Sequence, residues 1–107
     1  MAATTKPPAH LSRSSKVLFR KVIAGWPELG HEPHALAVLV LGCESIDRGA
    51  TARRELERDG LTVPTAHGVK THPSVATEVS SRLAAVRCFR ELNLSGDLAA
   101  TSHGYDG

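Results

Sequence analysis

The stretch from Pro33 to Asp59 does most to limit what this chain can become. It keeps a helical pattern for 27 residues, and at ~1.5 Å per residue that is a rod roughly 40 Å long. Proline suits the first turn of a helix, and Gly60 is a natural stop just past its end. Leu36, Leu39, Cys43, Ile46, Ala50 and Leu56 trace an apolar seam along it. From Ala35 to Cys43 the helix is apolar around its whole circumference, so it has to be covered on more than one side. The second half is amphipathic and charged, with an Arg53–Glu57 pair at i,i+4.

The remaining elements follow from local signals. Residues 1–10 hold small residues and a Pro-Pro pair and read as a flexible arm. Ser12 can cap a helix over 12–25, which Pro27 brings to a stop. Leu18, Phe19, Val22, Ile23 and Trp26 form one face of it, while Arg13, Lys16 and Arg20 recur at steps of three and four on another. Residues 61–72 lack a helical period and turn at Gly68, which predicts two short extended pieces. Pro73 opens a helix to about residue 93, with Val75, Val79, Leu83, Val86, Phe89 and Leu92 on one face and i,i+4 pairs Glu78–Arg82 and Arg87–Glu91 outside. Residues 97–107 read as a flexible tail. The short 61–72 connection makes the two long helices antiparallel. Setting Gly60 opposite Pro73 pairs positions whose numbers sum to about 133, so Ile46 faces Arg87, Ala50 faces Leu83, and Cys43 shares a layer with Cys88. The expected fold is all-α: a short first helix and a long helical hairpin joined by a small β-turn.

Composition narrows the functional classes. Leu, Ile, Val and Phe make up 25 of 107 residues, enough for a thin core. Much of the other apolar content is Ala, which favours burial against further copies of the chain. The longest apolar run, Ala35 to Leu41, falls far short of the ~20 residues that span a bilayer. No secretory signal opens the chain, and two cysteines make no disulfide framework, which places the protein in a reducing cytoplasm. No phosphate-binding loop ending in Lys-Ser/Thr is present.

Catalytic chemistry finds little support. His31-Glu32-Pro33-His34 spaces its histidines three apart across a helix start, whereas a zinc protease motif needs them at i,i+4 on one face. His67 and His72 flank a turn with no cysteine near, so no metal and no cofactor are expected. Cys43 and Cys88 sit on or beside apolar faces without a paired base, where cysteine is an inert hydrophobe. Glu55, Glu57 and Asp59 interleave with Arg53, Arg54 and Arg58 as a solvated helix end. No catalytic residue is assigned. Charge is more informative: residues 1–30 hold five Lys or Arg against Glu28. Lys6, Arg13, Lys16, Arg20 and Lys21, with Lys70 from the turn, suit phosphate contacts that carry no sequence information. Arg82, Arg87 and Arg90 join Lys70 as a second possible set. Leu36, Leu39, Leu41, Cys43 and Ile46 are the candidate contacts between copies.

The order of several motifs resembles a known family. Pro7-Pro8-Ala9-His10-Leu11-Ser12 precedes a helix with Val17-Leu18-Phe19, and a long helix ends Leu56-Glu57-Arg58-Asp59-Gly60-Leu61. Gly68-Val69-Lys70-Thr71-His72-Pro73-Ser74-Val75 follows, then Phe89-Arg90-Glu91-Leu92-Asn93-Leu94. Across residues 7–96 this resembles the small subunit of phage terminase, in the compact helical branch of tailed phages and gene transfer agents. The resemblance implies a non-enzymatic subunit that binds double-stranded viral DNA. It implies a homo-oligomeric ring of roughly eight to ten copies. Such a ring recruits and regulates a large terminase subunit, an ATPase and nuclease, for genome packaging in the cytoplasm of a bacterial host. It gives no residue-level DNA site. Two other classes fit the composition, namely an antitoxin-like dimeric DNA-binding regulator and a helical adaptor that binds no DNA.

Overall fold

The computed structural model describes residues 5–94. Helix α1 spans Arg13–Gly25, a short 3₁₀ helix Pro27–His31, and α2 Pro33–Asp59. Strands β1 (Thr62–Thr65) and β2 (Gly68–Thr71) form an antiparallel pair, and α3 spans Pro73–Glu91. The described residues are thus mostly helical with one small two-stranded sheet. The expected tail at 97–107 lies outside them. The 3₁₀ turn replaces what reads in sequence as a plain connection. Pro27, unable to continue α1, starts a tighter helix at its first position, and that turn buries Leu29.

One carboxylate anchors the start of α1. Ser12 caps the helix by accepting from the Ser15 N–H at 3.1 Å. The Ser12 N–H, the Ser12 hydroxyl and the Ser15 hydroxyl all donate to Asp47 of α2, at 2.8, 2.6 and 2.6 Å. His10 meets Glu44 a turn earlier on α2, at 2.7 Å. Phe19, Leu39 and Cys43 are the centre of the core, with Leu11, Val22, Leu29, Ala35 and Leu94 around them. The apolar girdle of α2 is therefore covered from within the chain on two sides, by α1 and the 3₁₀ turn and by α3, while Ala37 and Leu41 stay exposed on a third.

The hairpin pairs Thr62 with Thr71 and Thr65 with Gly68, whose φ of 135° suits only glycine. His72 latches both ends of this connection. Its N–H donates to the Leu61 carbonyl at 2.8 Å. Its Nδ1 accepts from the Ser74 N–H at 3.0 Å and so caps α3. The ring proton then sits on Nε2, which reaches Asp59 at 3.1 Å.

The two long helices are antiparallel, but not in the expected register. Asp59 meets His72, Glu55 accepts from the Ser74 hydroxyl, Arg53 reaches Glu78, Gly49 lies against Ser81 and Gly42 against Cys88. These numbers sum to about 130 instead of 133. Ile46 therefore does not face Arg87, and Ala50 does not face Leu83. Cys43 turns toward Ser15 of α1, its thiol 3.8 Å from that residue's carbonyl. The face that α3 presents to α2 also differs from expectation. Ser74, Glu78, Ser81 and Ala85 are buried, while Val79, Leu83 and Val86 stay exposed at 46%, 53% and 47%. Small side chains face each other across the hairpin (Gly42, Ser45, Gly49 and Ala52 on α2), so the backbones approach closely and the bulky residues stay outside. Arg53 crosses to Glu78 at 3.5 Å and Arg82 joins the same carboxylate from one turn along α3, at 2.5 Å.

Candidate nucleic-acid interface

Lys16 and Arg20 lie one helical turn apart on α1, with Arg13 one turn earlier. Residues 5–9 run alongside them. Together with α1 and the 3₁₀ turn they enclose a cleft of about 850 Å³, into which Lys6, Lys16 and Arg20 converge with His31. Gly30 allows this close approach, because a β-carbon there would stand 2.8 Å from the Thr5 hydroxyl oxygen. Among the described residues no Asp or Glu lines the cleft.

The six expected phosphate contacts fall in three places. Lys6, Arg13, Lys16 and Arg20 form the cleft and its extension toward the start of α1. Lys21 points to the other side of α1, into a second groove with Arg53, Arg82 and Arg90. Lys70 is exposed on β2, at the far end of α2 from the α1 contacts. Among the described residues, none of the six forms an ion pair within 4 Å, whereas Arg53 and Arg82 are committed to Glu78 and Arg58 to Asp59. Cations without carboxylate partners are free to neutralise phosphates, and three of them at one cleft give a local field of a single sign. His31 is the member of this cleft that sequence alone does not single out. Only the restart at Pro27 hints that the connection is ordered.

The candidate contacts between copies also separate. Leu39 and Cys43 are both 0% exposed inside the subunit and could meet a neighbour only if the core opened. Leu36 packs on that core, and Ile46 lines the second groove. Leu41 alone of the five is largely exposed, at 53%.

Burial, with the nearby charges of Asp47 and Glu44, pushes the Cys43 thiol up to about 11. A thiol held protonated in this way is a poor nucleophile. Burial also pushes the Asp47 carboxyl up, but the hydrogen bonds from Ser12 and Ser15 outweigh it and hold Asp47 below its ordinary range. The hydrogen bond from Arg58, then that from His72, lowers Asp59 far below the usual carboxylate range. Arg82, then Arg53, lowers Glu78 as well. Among the described residues no group of three or more His, Cys, Asp or Glu is placed to hold a metal ion, and no helix is long and apolar enough to cross a membrane. No protein-family model, curated protein or solved structure matches the chain.

Proposed function

We propose that this protein is a small-terminase-like subunit that binds duplex DNA through the Lys6–Lys16–Arg20 cleft and works as a homo-oligomeric ring. The ring would present viral DNA to a large ATPase-nuclease partner in the cytoplasm of a bacterial host. The observation that carries the reading is the cleft itself, in which, among the described residues, three unpaired cations from two separate segments are brought together with no acid between them. Phosphate is the ligand that such a site takes, and it makes binding salt-dependent and weakly selective for sequence. Assembly is supported by Leu41 on α2, a large apolar side chain left in water in the single chain. Few cations per subunit make a ring's avidity the source of useful affinity.

Native mass spectrometry at low salt, with and without a short random-sequence duplex, tests this reading. It predicts a closed ring of roughly eight to ten copies that retains the duplex. A dimer that retains only a particular sequence would favour the antitoxin-like regulator. An assembly that retains no DNA would favour the adaptor.

A further inference from the structure

Helices α1 and α3 both pack on α2 and leave between them a groove of about 760 Å³ on the face away from the Lys6–Lys16–Arg20 cleft. Its floor and walls are apolar: Leu18 and Val22 of α1, Ile46 and Ala50 of α2, Val86 and Phe89 of α3. Its rim is basic. Lys21, Arg53, Arg82 and Arg90 border it, and Glu78, the one acid among the described residues that line it, is already shared by Arg53 and Arg82. The rim thus keeps a surplus of positive charge around an apolar floor.

From this groove we infer a docking site for an acidic amphipathic helix of a second protein. Among the described residues the site has the form of a helical bundle with one position vacant: two flanking helices, a floor helix carrying the small residues Gly49 and Ala50, and room for an occupant that buries one apolar stripe. The exposed stripe of Val79, Leu83 and Val86 widens the apolar surface on the α3 side of the groove, over ~10 Å of helix at 1.5 Å per residue. The charge pattern selects the occupant. An apolar face fits the floor, and flanking carboxylates meet the surplus cations on the rim. A nucleic-acid backbone could use those cations but would leave the floor uncovered or set phosphates against it. The inference is independent of the DNA reading, because it uses a different face and different residues.

Trp26, the only tryptophan, lines the groove and reports on its occupation. The probe is a synthetic peptide of about 15 residues, long enough to form a helix on a surface, with Leu at i, i+4 and i+7 and Glu at most other positions. A twin peptide carries Lys in place of every Glu. Titration of the full chain is expected to give a saturable blue shift of tryptophan emission with the acidic peptide. The basic twin should bind at least about tenfold more weakly. The exposed pair of substitutions Lys21→Glu and Arg90→Glu, checked for unchanged circular dichroism, should abolish that preference. Absence of saturable binding, or equal affinity for the two peptides, overturns the proposal. So does a short duplex that competes with the peptide, or a Trp26 emission that shifts with protein concentration alone, which would give the groove to a second copy. Tighter peptide binding after Asp97→Lys with Asp106→Lys also overturns it, since residues 95–107 would then be the occupant.

Discussion

Replacing Gly42 by alanine tests the packing of the long hairpin where it is tightest. A β-carbon at Gly42 would stand 3.1 Å from the Cys88 β-carbon and 3.2 Å from the Cε2 and Cζ atoms of the Phe89 ring. Alanine gains about 0.5–1 kcal/mol over glycine inside a helix. Forcing a methyl group into a filled interface costs about 1–3 kcal/mol. The net expectation is a loss of about 1 kcal/mol. Gly49 is the internal control, because a β-carbon there meets only the Ser81 β-carbon at an ordinary 3.4 Å. Gly49→Ala should therefore keep the helix gain and stabilise the fold by about 0.5 kcal/mol. The two variants should differ by about 1.5 kcal/mol, which is roughly 6–12 °C in Tm for a chain of this size. Urea titration followed by far-ultraviolet circular dichroism measures both. In the register that sums to 133, Gly42 would face Glu91 at the end of α3 and would have no reason to resist a methyl group. Gly42→Ala equal to or more stable than Gly49→Ala would therefore refute the observed packing.

Other outcomes follow from the polar anchors. Asp47→Ala removes the acceptor of three hydrogen bonds, one of them from nearly buried Ser15, and should cost about 1–3 kcal/mol in urea unfolding. Because the folded state holds Asp47 below its ordinary 3.8, its contribution is complete above that value and drains away as pH falls through the lower folded one. Acid titrations of wild type and Asp47→Ala should therefore converge in stability toward low pH; a constant gap down to pH ~2 would contradict the assignment. His72→Ala should cost about 0.5–2 kcal/mol by uncapping α3, and His72→Asn, which can still accept from the Ser74 N–H, should recover much of that. In the native protein Ellman's reagent should modify half-buried Cys88 first and reach Cys43 only on unfolding; rapid modification of Cys43 would show that the core around it opens.

Helix limits were legible because their causes are local. Pro33 and Pro73 occupy first turns, Gly60 ends α2 with a positive φ, and Ser12 caps α1, so each boundary can be read from a few neighbouring residues. The register between α2 and α3 was not legible, since it is set by how closely Gly42, Gly49 and Ser81 let two backbones approach. Apolar spacing favours the stripe Val79–Leu83–Val86 as the buried face, yet close approach rewards the small residues on another side. The basic residues of α1 were legible as a stripe, but their convergence with Lys6 depends on the arm lying against Gly30. That is a tertiary contact with no periodic signal. Lys21 looks like part of the same cluster in sequence, and one step of about 100° around the helix from Arg20 sends it into the other groove.

The salt dependence of duplex affinity tests the central claim most directly. Each phosphate contact contributes about −0.9 to the slope of log K against log salt. Replacing Lys6, Lys16 and Arg20 together by alanine should therefore make the slope shallower by about 2.7 for each subunit engaged, with helical content and assembly unchanged. Steep dependence in the wild-type assembly and this flattening in the variant is the predicted result. An unchanged slope and affinity in the variant would contradict the account and move the phosphate contacts away from the cleft.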